Sequence, residues 1–178
     1  PVRRLPAEEQ ANFVQALGNY YYNAKNYPKA IEWMKRYQKE SPTPEKVRPA
    51  LVRAYYLSGD FAGAKTELLP VIADAEKAGK APELEDLRLL GSSAAKLKDD
   101  ATYIQAMEKL VTYHPNDDFW TDLLSRMQRK PTWNERFRLD VLRLKDMAVK
   151  TMDPLEYAEM AELALLAGFP TEEKKAMD

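Results

Sequence analysis

The chain has 178 residues, 27 Lys and Arg against 28 Asp and Glu, and a formal net charge of -1, so it lacks the basic excess that draws a whole protein to nucleic acid or an anionic membrane. Its 45% hydrophobic and 31% charged residues are the balance of a globular protein with a sizeable core, and the absence of cysteine excludes disulfides, thiolate metal sites and cysteine nucleophiles. No apolar run reaches the ~18 residues that span a bilayer, and the first residues, Pro1 to Pro6, lack the apolar stretch of a secretory leader. No nucleic acid and no membrane insertion are therefore expected, while the compartment stays open. The chain starts without Met and reads as a piece of a longer protein.

Taken in order, Glu8 to Ala24 carries Ala11, Val14, Leu17 and Tyr21 at helical spacing. Lys25-Asn26-Tyr27-Pro28 breaks it, and a second helix from about Pro28 to Lys39 places Ala30, Ile31, Met34 and Tyr37 on one face before Ser41-Pro42. Thr43-Pro44-Glu45 reads as the cap, first-turn proline and favourably charged acid of a third helix. That helix carries Leu51, Val52 and Tyr55 and ends at Gly59-Asp60-Phe61, where Gly stops one helix and Asp caps the next. Ala64, Leu68 and Val71 follow, and Pro70 is expected to kink or shorten their helix.

The stretch Ala78 to Pro82 is a longer linker, after which Leu87, Leu90, Gly91 and Ala94, then Tyr103, Met107, Leu110 and Pro115, make a further helix pair. Asp118 to about Gln128 reads as a helix capped by Asp117 or Asp118. Thr132 to Glu135 has the spacing of a capping box, opening a helix through Phe137, Leu142 and Met147. Asp153-Pro154-Leu155-Glu156 is another capped start, and Thr171 caps a last helix that the sequence cuts short. This end is expected to expose an apolar stripe open to self-association. The basic run Arg126 to Lys150 and the acidic run from Asp153 to Glu173 are expected to attract one another between adjacent helices or between chains.

Val14, Leu17, Gly18, Tyr21, Tyr27, Ala30, Met34, Tyr37 and Pro42 follow the spacing of the tetratricopeptide (TPR) motif with conservative replacements at its first and sixth positions, and Leu51 to Val71 and Leu87 to Pro115 restate it. The chain thus resembles bacterial-type TPR proteins over roughly Ala11 to Asn116, and more loosely beyond. The resemblance implies an all-α fold of stacked antiparallel helix pairs in a right-handed superhelix of about nine to ten helices. It is expected as one helical-repeat domain over 1–178, with repeats near 11–44, 45–78 and 84–117 and divergent pairs near 118–150 and 154–178.

By the same resemblance, the concave face is lined by the first helix of each pair and binds a protein or peptide partner without catalysis. The residues that packing leaves free there are Asn12, Gln15, Asn19, Tyr22 and Asn23, then Arg53, Tyr56 and Leu57, then Arg88, Ser92 and Lys96, with Arg126 and Arg129 continuing the row. Amides both donate and accept, so they can hold an extended backbone of any sequence. Some chaperone-binding members of the family grip a terminal carboxylate with a lysine and an asparagine; Asn19 matches the asparagine, but Gln15 stands at the lysine position. No cofactor is expected. The single histidine, His114, precedes Pro115 in a turn, no second histidine completes a metal set, and no phosphate-binding glycine loop is present. The alternative reading is a structural repeat segment that links flanking domains or builds an oligomer.

Overall fold

The structure, a computed structural model, describes residues 6–168. Every regular element among them is helical: α1 (Ala7–Asn23), α2 (Tyr27–Glu40), α3 (Arg48–Ser58), α4 (Phe61–Lys77), α5 (Leu84–Lys96), α6 (Asp100–Tyr113), α7 (Asp117–Gln128), α8 (Arg138–Ala148) and α9 (Pro154–Leu166), with 3-10 turns at Pro44–Val47 and Glu135–Phe137. The all-α expectation and the helix count hold. The chain divides into two compact units, Pro1–Tyr103 and Ile104–Asp178. The last helix expected after Thr171 lies outside the described residues.

In the first unit each helix from α1 to α5 packs on the next, because the turns between partners are too short to separate them. One turn recurs. Lys25 at φ 57°, Gly59 at φ 82° and Lys98 at φ 57° each take the left-handed conformation just past a helix. The following residue then caps the next helix: Asn26 accepts from the Lys29 N–H at 3.3 Å, Asp60 from Gly63 at 2.8 Å and Asp99 from Thr102 at 3.1 Å. Each cap residue's own N–H returns to a carbonyl in the helix just ended, Asn26 to Tyr21, Asp60 to Tyr55 and Asp99 to Ala94, all at 2.9 Å. The recurrence falls 34 and then 39 residues along, so the longer second interval reflects added residues between α4 and α5, where Pro82 is nevertheless fully buried.

The core of the first unit gathers Ala11, Val14, Ala30, Met34, Tyr37, Val47, Leu51, Tyr55 and Ala64. Small residues set its spacing. A Cβ on Gly18 would lie 3.0 Å from Met34 Cγ, and one on Gly63 would lie 2.5 Å from the Tyr55 ring, so α2 approaches α1, and α4 approaches α3, closer than a side chain permits.

Four expectations are corrected. Of the kink or shortening expected at Pro70, the shortening does not occur: α4 runs unbroken to Lys77. Pro70 and Thr66 both lie on the exposed side, so the Thr66 carbonyl that loses its N–H partner faces solvent. Thr43 does not cap α3; its hydroxyl pairs with the Tyr37 phenol at 3.1 Å. A 3-10 turn precedes α3 because Pro49 has no N–H to give the Glu45 carbonyl, which takes the Arg48 N–H instead. Asn116, not Asp117 or Asp118, caps α7, accepting from Phe119 at 2.8 Å. The box at Thr132 to Glu135 does not form: Asn134 caps the 3-10 turn, and Glu135 accepts from the Trp133 indole at 3.0 Å. The box at Asp153 and Glu156 does form.

In the second unit α8 packs on both α7 and α9. Leu139, Leu142, Met152, Met160 and Ala164 form a buried cluster. The basic and acidic runs meet as expected: Arg138 donates to both carboxylate oxygens of Glu159, and Lys145 reaches Glu156 at 2.6 Å. On α9, Leu155 and Leu166 remain 80% and 84% exposed. Among the described residues no helix is long and apolar enough to cross a membrane.

Candidate functional site

A helix that advances about 100° per residue can present three separate faces over five turns, and α1 does so. Ala11, Val14, Gly18 and Tyr21 point into the core. Asn12, Gln15, Asn19 and Asn23 lie on a second face, where Gln15 is half-buried and the three asparagines are exposed. None of these four amides hydrogen bonds to another described residue. The third face carries Phe13, Ala16, Leu17 and Tyr20.

The expected site residues of the first unit fall into two groups. Arg53, Arg88 and Lys96 are exposed like the asparagines and form no salt bridge among the described residues. The tyrosines are partly committed to the fold. Tyr22 is half-buried against the core and meets Tyr27 edge-on at 5.9 Å; 34 residues later Tyr56 meets Phe61 in the same way at 5.3 Å. The Tyr56 hydroxyl also bonds to Ser92 Oγ at 2.6 Å, tying α3 to α5 and bringing two expected site residues together. These two residues therefore brace the surface on which Arg53 and Arg88 stand.

Asp86, which sequence reasoning passed over, lies half-buried on α5. Burial and then the neighbouring Glu83 and Glu85 raise its carboxyl above the usual range, while Arg53 pulls it back. The signal for it was the acidic opening of α5, Glu83 to Asp86. Gly63 was also missed, and a glycine in the first turn of a helix is itself a sign of close approach.

Arg126 belongs to the second unit, where it is half-buried on α7. That unit has an open polar cavity of about 500 Å³ bordered by Gln128, Arg129, Trp133, Glu135, Arg138 and Glu159. Its charges are largely spent on one another. Arg138 is held by Glu159 and Gln128; the bond to Glu159 raises its guanidinium and lowers the Glu159 carboxyl, and Glu135 is engaged by Trp133. Among the described residues no group of three or more His, Cys, Asp or Glu is arranged to hold a metal ion. The chain matches no protein-family model and no curated protein.

Proposed function

We propose that this chain is a TPR-type helical-repeat scaffold that performs no chemistry and holds a peptide or protein partner on the exposed polar face of α1, α3 and α5. The observation that carries this reading is the row of amides on α1. Asn12, Gln15, Asn19 and Asn23 hydrogen bond to no other described residue, and amides in that state are ready to donate to and accept from an extended backbone. The recurring turn at Lys25, Gly59 and Lys98 supports the repeat reading, since equivalent turns put equivalent residues of α1, α3 and α5 in equivalent places. Asn19 then corresponds to Arg53, so the amide face continues into one bearing Arg53, Arg88 and Lys96. A partner suited to it combines an extended backbone with acidic side chains toward one end.

Selection of a random displayed peptide library on the full chain tests the reading. Enriched peptides are expected to lose at least tenfold in affinity, about 1.4 kcal/mol, when Asn19→Ala and Arg53→Glu are combined, with far-UV circular dichroism unchanged. Failure to enrich any peptide, or binding indifferent to the double variant, overturns it and leaves the linking or oligomer-building segment as the better account.

A further inference from the structure

The polar cavity of the second unit keeps two charges in reserve. Arg138 is satisfied, since it donates to both carboxylate oxygens of Glu159 and to Gln128 Oε1. Arg129 is not. Its Nε donates to the Ser125 carbonyl at 3.2 Å, which ties the guanidinium to its own helix, and its two terminal nitrogens have no partner among the described residues. Glu135 spends one oxygen on the Trp133 indole at 3.0 Å and leaves the other unpaired among the described residues. Arg129 and Glu135 border the same space of about 500 Å³ and form no salt bridge with each other.

The unspent groups sort by chemistry. Ser125, Gln128 and Arg129 stand at i, i+3 and i+4 and so share one face at the end of α7. What they have left is mainly donors: the Ser125 hydroxyl, the Gln128 amide nitrogen and the Arg129 terminal nitrogens. A carboxylate satisfies such a set. The free oxygen of Glu135 calls instead for an N–H donor. Trp133, half-buried, supplies the third element. Its backbone N–H donates to the Lys130 carbonyl at 2.9 Å, its indole is tied to Glu135, and the Phe137 ring lies 6.5 Å away. A ring held in this way takes a flat apolar group at little cost in side-chain freedom.

We propose that this cavity binds a free aromatic α-amino acid, its carboxylate on Arg129 and Gln128, its ammonium on Glu135 and its ring against Trp133. Charge favours a zwitterion over a simple anion or cation, because Arg129 and Arg138 balance Glu135 and Glu159 around the cavity, and a ligand with net charge would be left unbalanced. The volume lies within the ~300–1,000 Å³ of small-molecule sites. The site belongs to the second unit and stands apart from the polar face of α1.

The Trp133 indole N–H reports on binding. In 1H–15N spectra of the full chain, assigned with Trp133→Phe, L-phenylalanine is expected to shift this resonance saturably with a dissociation constant on the order of 1 mM, as suits a small ligand in an open site, and to leave that of Trp33 in place. Each charge is then set against an analogue that lacks its counterpart. Arg129→Met should weaken phenylalanine about tenfold and leave the weaker binding of 2-phenylethylamine, which has no carboxylate, unchanged. Glu135→Gln, which keeps an acceptor for the indole, should weaken phenylalanine about tenfold and leave 3-phenylpropionate, which has no ammonium, unchanged. The proposal is overturned by an unmoved Trp133 resonance at ~10 mM phenylalanine, by N-acetylphenylalanine binding as tightly as the free amino acid, or by either variant weakening phenylalanine and its analogue alike, the mark of a merely structural role.

Discussion

Two adjacent serines on α5 should respond to the same substitution with opposite signs. Ser93 is fully buried and its hydroxyl has no hydrogen-bond partner among the described residues, whereas the Ser92 hydroxyl bonds to Tyr56 at 2.6 Å. Leaving a buried hydroxyl unsatisfied costs about 1–3 kcal/mol. Ser93→Ala removes that cost and adds a few tenths of a kcal/mol of helix propensity. Against this stands the void left by one oxygen, a few tenths of a kcal/mol at about 24 cal/mol per Å³. The net expectation is a gain of about 1 kcal/mol, or roughly 2–4 °C in Tm for a chain of this size. The repeat itself supplies a precedent, since Ala54 holds the equivalent place in α3. Ser92→Ala strips the part-buried Tyr56 hydroxyl of its partner and is expected to lose about 1 kcal/mol. Urea unfolding followed by far-UV circular dichroism measures both. If Ser93→Ala lowers the midpoint, the hydroxyl is satisfied in solution and the reasoning fails; if both variants shift in the same direction, the assigned hydrogen bond does not distinguish the two serines.

Three further outcomes follow from packing, turns and charge. Gly63→Ala should cost about 1–3 kcal/mol by driving a Cβ into the Tyr55 ring. Gly18→Ala should cost less, because the atom it meets belongs to the flexible Met34 side chain; thermal melts rank the two. Lys98→Gly should gain up to about 1 kcal/mol by relieving a left-handed non-glycine residue, and Gly59→Lys should lose a similar amount. Equal melting temperatures would show that neither turn is strained. The Thr102 hydroxyl, then the Lys65 ammonium at 2.9 Å, hold the Asp99 carboxyl well below the usual carboxylate range. A depressed acid contributes stability that is present above the unfolded carboxylate pKa of about 4 and is lost as pH falls below it. Asp99→Asn keeps an acceptor for the cap but not the charge, so its stability should fall less steeply on acidification; matching slopes for the variant and the parent would refute the assignment.

The sequence made the helices and the first-unit core legible because both rest on spacing. Val14, Met34, Leu51 and Leu68 are buried where helical periodicity puts them. Caps were legible only where one candidate stood alone. Asp60 and Asp153 were found, but at Asn116-Asp117-Asp118 three acceptors compete and the choice depends on backbone angles that sequence does not display. Pro70 misled because its cost depends on which way the freed carbonyl faces. The exposed amides of α1 followed from the residues that the motif leaves unused. The commitment of Tyr56 to Ser92 did not, because it joins helices separated by an insertion whose path the sequence leaves unspecified.

The division of α1 into three faces bears on how this chain can be re-engineered. Asn12, Asn19 and Asn23 are exposed and lie off the core face, so they can be randomised together in a library with the fold expected to survive, and under the proposed function each member would differ in recognition alone.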